Sequence, residues 1–196
     1  MTFLKKTSIA LLALLLSSSI HAQLAERVLV GYWENWKKGD VVFCGAIDLR
    51  KYKNFFTKCE VVKSHLMELR RDFPISIIYI EQPFMFFNSG GSSAKTMAGL
   101  QRFNGVVSWI CYSFFGVAPE YLTAGQARKE VGIKIPRGTK AKPVVLQFVL
   151  DNDPTFEIQY TTKGNPRPES YDKADSWVIA KAGWSVWKKS LSSAEH

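Results

Sequence analysis

The segment Ile77-Ile78-Tyr79-Ile80-Glu81-Gln82-Pro83 is the most informative part of this chain for its fold. Its apolar residues run on without alternation, which is typical of a strand buried on both faces. Proline cannot donate to a sheet ladder, so Pro83 predicts that the strand stops and leaves Glu81 at its tip. Ligands of α/β sheets bind at such strand ends, and Glu81 is therefore a candidate site residue.

Two further acids stand where the last helical pattern begins, in Tyr171-Asp172-Lys173-Ala174-Asp175. Asp172 and Asp175 are three residues apart, so a helix over 171–188 places both on one face of its first turn. With Glu81 they form a set of carboxylates suited to divalent cations. The alternative for each acid alone is a solvated loop residue or a charge at a helix N-terminus.

The periodicity around these acids predicts alternating strands and helices. Two early strands precede an amphipathic helix, and the strand ending at Glu81 is followed by a long helix, a short strand and three more helices. The predicted ranges are strands 28–32, 41–47, 75–81 and 120–122, and helices 50–71, 92 or 93 to 115, 124–131, 143–150 and 171–188. This order predicts an α/β fold whose sheet begins antiparallel and continues parallel, in one domain over 23–190.

The chain of 196 residues has 26 Lys and Arg against 17 Asp and Glu, a formal charge of +9. This excess suits an anionic partner such as nucleic acid or a membrane surface, and ordinary solubility explains it equally well. Basic residues are most closely spaced in the loop 134–142. We expect this loop to contact phosphates without reading bases. The candidate DNA-binding residues lie in this loop and on the helix before it: Arg128, Lys129, Lys134, Arg137, Lys140 and Lys142.

The N-terminus admits two interpretations. The N-terminus has the layout of a cleavable signal peptide: Lys5 and Lys6, an apolar run over 9–16, small polar residues over 17–19, and Ile20-His21-Ala22 before the cleavage point. A leucine-rich first strand, buried in the sheet, would show the same letters. Export through residues 1–22 is therefore the alternative to an intracellular protein.

The cysteines favour an intracellular protein. The chain has three of them, none in a CxxC pair, and all stand among apolar neighbours: Cys44, Cys59 and Cys111. Reduced thiols in the core are the simplest account, and they suit a reducing compartment. We therefore expect a cytoplasmic site of action, with residues 1–22 retained or dispensable.

Four segments occur in an order known from one group of nucleases: Ile80-Glu81-Gln82-Pro83, Arg102-Phe103-Asn104-Gly105, Ala127-Arg128-Lys129 followed by Gly132-Ile133-Lys134, and Asp172-Lys173-Ala174-Asp175. Over roughly residues 41–188, the chain resembles the RuvC-like branch of the ribonuclease H-like nucleases, in particular Holliday junction resolvases of the phage type. The resemblance implies a ribonuclease H-like fold, two catalytic Mg²⁺ ions that Mn²⁺ can replace, and a homodimer acting on branched DNA without a small-molecule cofactor. Glu81 matches the second catalytic acid of that family, and Asp172 and Asp175 match its final pair.

One feature of the family is missing. Its members open with a strand that carries a catalytic Asp, yet no acid precedes Glu26 in this chain. Glu26 is the nearest candidate for this acid, and Leu15, shortly before Ser17, is where a disguised first strand would have lost it. The resemblance implies a metal-dependent endonuclease, a hydrolase of DNA recombination and repair. The alternatives are a catalytically impaired DNA-binding relative and a secreted binding module.

Overall fold

The structure is a computed structural model, and it describes residues 10–17, 27–33, 41–72, 75–82 and 94–194. The strands in these ranges are β1 (Ala10–Ser17), β2 (Arg27–Trp33), β3 (Val41–Asp48), β4 (Ile75–Glu81) and β5 (Glu120–Leu122). The helices are α1 (Phe55–Asp72), α2 (Ala94–Phe115), α3 (Ala124–Glu130), α4 (Ala141–Asn152) and α5 (Pro168–Ala194). Pro83 and the predicted start of α2 at residue 92 or 93 lie outside the described residues.

The strands form one mixed sheet in the order β3-β2-β1-β4-β5. β2 is antiparallel to β1 and β3, whereas β4 is parallel to β1 and β5. The predicted antiparallel beginning and parallel continuation are both confirmed. β4 ends at Glu81, as the sequence predicts.

The central strand of the sheet is formed by a segment for which the sequence allowed two interpretations. Residues 10–17, which read either as the core of a signal peptide or as a buried strand, form β1 between β2 and β4. Its register with β4 pairs Leu12 with Ile78 and Leu14 with Ile80. The strand that we predicted over 28–32 is therefore the second strand of the sheet.

Helices cover both faces of the sheet. On one face, α1 and α2 pack against Ile78 and Ile80, and on the other α3, α4 and α5 pack around Tyr79. Cys59 and Cys111 are buried free thiols of the first core, as predicted, whereas the side chain of Cys44 lies outside the description. No helix of the described ranges has the length and hydropathy needed to cross a membrane.

Two helix starts differ from the prediction for local reasons. α1 begins at Phe55 instead of residue 50, because the Asn54 side chain accepts hydrogen bonds from the backbone N–H of Phe56 and Thr57 and so caps the helix. α4 begins at Ala141 instead of residue 143, because a proline is tolerated in a first turn whose N–H groups lack helical partners. Lys142 is therefore helical and does not belong to the basic loop.

The last helix is longer at both ends than the predicted 171–188. It begins at Pro168, whose fixed φ suits the first helical position, and it ends at Ala194. Asp172 and Asp175 consequently lie beyond the first turn, and their predicted place in it is wrong. The dipole at the helix N-terminus is not what positions them.

Candidate active site

Glu81 is held in place through its backbone. The next residue, Gln82, donates its N–H to the carbonyl of Leu122 at 2.9 Å, which continues the pairing of β4 with β5. From the opposite face, the buried side chain of Asn104 on α2 donates to the Glu81 carbonyl at 3.1 Å. The tip of β4 is thus fixed from two sides.

Asn104 is the site residue whose role sequence reasoning missed. Ser108, one turn later on α2, donates to the Asn104 carbonyl at 2.7 Å and accepts a bond from the Tyr121 hydroxyl at 2.8 Å. A partly buried network of this kind links α2, β4 and β5. The available signal was two polar residues, four apart, on the apolar face of a predicted helix.

Asp172 and Asp175 reach the site from α5. The carboxylate of Asp172 is almost fully buried, with a side chain 5% exposed, and its Oδ1 lies 2.9 Å from Nζ of Lys142. Lys142 comes from α4, and its own side chain is 59% exposed. The ion pair therefore joins a surface ammonium to a buried acid.

The three predicted acids are close enough to perturb one another. Burial and the neighbouring charge of Asp175 raise the pKa of Glu81 to about 8, against the opposing pull of Lys142 and Arg128. Burial, opposed by Lys142 and reinforced by Asp172, raises the pKa of Asp175 to about 6. The structure thus brings Glu81, Asp172 and Asp175 into one cluster whose charges repel and favour a cation.

Basic side chains flank this cluster. Arg128 is fixed on α3 by a 3.0 Å bond from its Nε to the Ala124 carbonyl. An open cleft of about 450 Å³ runs beside it, lined among others by Arg128, Lys129 and Lys134. The remaining predicted DNA-binding residues are more dispersed: Arg137 and Lys140 are exposed in the loop 131–140, and Lys142 points at the acids.

The donor set fits a divalent cation only in part. Glu81 and Asp175 supply carboxylate oxygens, the ligands that Mg²⁺ prefers, and their raised pKa values indicate that a nearby cation would be favourable. Extending the register of β1 and β4 by one residue, however, brings Leu15 beside Glu81. Over the described ranges, no three acidic, histidine or cysteine side chains are grouped closely enough to hold a metal ion. The described side chains therefore do not by themselves complete a site for the two ions that the resemblance implies.

Comparison with known proteins gives a clear result for structure alone. No family profile matches the chain, and no curated protein matches it in sequence. Among solved structures, RuvC of Thermus thermophilus superposes with a TM-score of 0.62 at 15% identity, covering 93% of this chain and 97% of that one. The same organism's RuvC in complex with a Holliday junction substrate gives 0.58 at 12% identity, covering 92% and 96%.

These superpositions extend over nearly the whole of both chains, including the mixed sheet and the helices on its two faces. At such low sequence identity, the superpositions show a shared fold and nothing more, and they confirm the predicted fold class. The chain has the RuvC-like form of the ribonuclease H-like α/β fold.

Proposed function

We propose that the protein is an endonuclease of branched DNA, with Glu81, Asp172 and Asp175 as its catalytic acids. The observation that carries this proposal is the convergence of three acids from two separate elements beside a basic cleft. Such a site can hold an anionic backbone on the cleft while the acids face the reacting phosphate. The fold supports the same conclusion, since one of the superposed structures is a RuvC bound to a Holliday junction.

Different residues of the site have different roles in this proposal. Arg128, Lys129 and Lys134 bind and orient the phosphate backbone, and Lys142 neutralises charge at the buried carboxylate of Asp172. Glu81 and Asp175 would hold a divalent cation, Mg²⁺ or Mn²⁺, which when bound supplies activation of water and stabilisation of the departing oxygen. The hydrogen bond from Asn104 keeps Glu81 in position.

A homodimer belongs to this proposal, because paired cuts in a four-way junction require two sites. The side chains of Trp109 and Tyr112 on α2 are 67% and 55% exposed, a large apolar surface for a helix end. Sedimentation of the wild type should give a dimer, and Trp109→Lys should weaken it. A wild type that sediments as a monomer at micromolar concentration would contradict this part.

The test of catalysis is the nicking of a synthetic four-way junction with Mg²⁺ or Mn²⁺. Glu81→Gln and Asp175→Asn should abolish nicking while junction binding stays within a few-fold, because both changes keep the side-chain shape. Glu68→Gln is the matched control, since Glu68 is exposed on α1 across the sheet. If both site variants cut as well as the control, the assignment of these acids is wrong.

The second candidate function is junction binding without cutting. The position of Leu15 favours it, because the strand position beside Glu81 carries no acid. Tight binding of a junction with no nicking, in either metal, would select this candidate.

A further inference from the structure

A short hairpin over residues 159–167 precedes α5, and backbone hydrogen bonds hold its two arms together. The N–H of Arg167 donates to the carbonyl of Gln159 at 2.7 Å, and the N–H of Thr161 donates to the carbonyl of Asn165 at 2.8 Å. Backbone bonds across a turn fix the path of the chain. The side chains of the hairpin 159–167 therefore project from a defined support.

The base of this hairpin is bonded to the helix that carries two of the acids. Ser170, in the first turn of α5, is only 2% exposed. Its hydroxyl lies 3.2 Å from both the backbone nitrogen and the carbonyl oxygen of Gln159, and it accepts from the one and donates to the other. Asp172 follows two residues later on the same helix. The hairpin therefore stands beside the acidic cluster.

The hairpin presents one aromatic ring and two cations, and residues 159–167 contain no acid. The side chain of Tyr160 is 56% exposed. Lys163 is exposed at the tip, where Gly164 turns the chain with a φ of 76°, which glycine adopts without strain. Arg167 is exposed at the base, and its Nε donates to the Tyr160 carbonyl at 3.2 Å. Aromatic rings next to cations bind nucleic acid where its bases are accessible, because the ring stacks on a base and the cations bind phosphates.

Continuous duplex DNA offers no such base, since each base is covered by its neighbours on both sides. Stacking is interrupted at a branch point, where a side chain can reach the face of a base at a lower cost in free energy. We propose that the hairpin 159–167 contacts the branch point, with Tyr160 stacked on a base there and Lys163 and Arg167 on the adjoining phosphates. This inference rests on the proposed function, and it adds the feature by which the protein distinguishes a branch from a duplex.

The test compares the affinities of the full-length protein for a four-way junction and for a duplex, with a chelator present so that a metal-dependent site cannot cut. Tyr160→Ala should lower the junction affinity about fivefold or more, which is the least that stacking on an aromatic side chain contributes, and should leave the duplex affinity unchanged. Tyr160→Phe keeps the ring and should bind like the wild type. Phe56→Ala is the control, since Phe56 is 74% exposed on α1, across the sheet.

A fluorescent base analogue tests the stacking itself. With 2-aminopurine at the branch point, the wild type and Tyr160→Phe should change the fluorescence on binding, whereas Tyr160→Ala should not. The alanine variant should keep the hairpin, because Tyr160 pairs with Pro166 through its backbone, and circular dichroism checks the fold. Lys163→Ala, at the tip, should reduce the slope of log affinity against log salt by about 1 for the junction.

The outcomes separate this inference from the proposed function. If Tyr160→Ala binds the junction as tightly as the wild type, or loses affinity for junction and duplex equally, the hairpin contact is wrong and the proposed function stands. If junction binding depends on the ring but no protein nicks the junction, the hairpin contact stands and the catalytic part of the proposed function fails. A wild type that binds neither DNA overturns both.

Discussion

Glu81 is placed where its charge destabilises the folded chain. Its pKa is about 8 in the fold against an ordinary value of 4.5, because burial and Asp175 disfavour the carboxylate. A raised carboxyl pKa means that the folded state binds the proton more tightly than the unfolded state does. The associated stability is fully present below pH 4.5 and is lost as the pH rises to about 8. Functional sites commonly contain ionisable groups whose shifted pKa values lower the stability of the fold.

We expect Glu81→Gln to be more stable than the wild type at high pH, because the amide keeps the shape without the buried charge. The gain should be roughly 1–3 kcal/mol in the free energy of unfolding near pH 8 and should largely vanish near pH 4.5. Urea denaturation at both pH values measures it, with a chelator present so that no cation neutralises the site. A variant less stable than the wild type at high pH would show that Glu81 is structurally stabilising.

The sequence allowed the three acids to be predicted individually, but it did not allow their contacts with other residues to be predicted. Glu81 stood out because a carboxylate ended an apolar run, and Asp172 and Asp175 because of their spacing. The partner of Asp172 could not be found in this way, since Lys142 is 30 residues distant and only packing of α4 on α5 brings them together. Lys142 was predicted to lie in the basic loop, which is wrong because it is a helical residue bonded to Asp172. Its predicted contact with DNA stays a prediction.

At the scale of elements, α5 is central because it crosses the sheet and carries two of the acids. Its approach to β4 is close at Gly183, where a Cβ atom would lie only 2.7 Å from Cγ of Tyr79. Tyr79 is itself buried in the core on this face. The distance between α5 and the tip of β4, and so the spacing of the acids, depends on this contact.

Gly183→Ala should therefore destabilise the protein by about 1–3 kcal/mol, although alanine is the better helix former. Gly105→Ala on α2 is the matched control, since nothing lies within 4 Å of its added Cβ. That control should be neutral or slightly stabilising. Thermal unfolding of both variants decides the matter, and equal midpoints would show that α5 does not approach β4 as closely as described.

The basic cleft between α3 and the loop after it predicts how DNA binding depends on salt. Lys129→Ala with Lys134→Ala should weaken binding of all DNA sequences alike and reduce the slope of log affinity against log salt by about 2. Lys53→Ala with Lys95→Ala removes the same charge from exposed positions, one shortly before α1 and one in α2. If both pairs change the slope equally, net charge and not the cleft governs binding.

Periodicity predicted most elements, because α1, α2 and α5 each bury one side of a helix. It failed for β1 for a physical reason. A strand buried on both faces and the apolar core of a signal peptide are both uninterrupted leucine-rich runs, so their letters do not distinguish them. The start of α5 was missed because Pro168 reads as a turn residue but also suits a first helical position.

In the whole molecule, the central position of β1 indicates whether residues 1–22 can be cleaved off. Cleavage after residue 22 would remove the strand that joins β2 to β4. We therefore propose that residues 1–22 are retained and that the protein acts in the cytoplasm. Mass spectrometry of the intact protein from expressing cells should find a chain that includes β1. An exported species that begins at Gln23 would contradict this and favour the secreted binding module.

We propose that the acidic cluster and the basic cleft together form a site for branched DNA. The deciding measurement is the affinity of Glu81→Gln, which we expect to bind without cutting, for a four-way junction and for a duplex of the same sequence and length. We predict that the junction binds at least about tenfold more tightly, roughly 1.4 kcal/mol, at physiological salt. Equal affinity for the two DNAs, or no binding to either, would contradict the account.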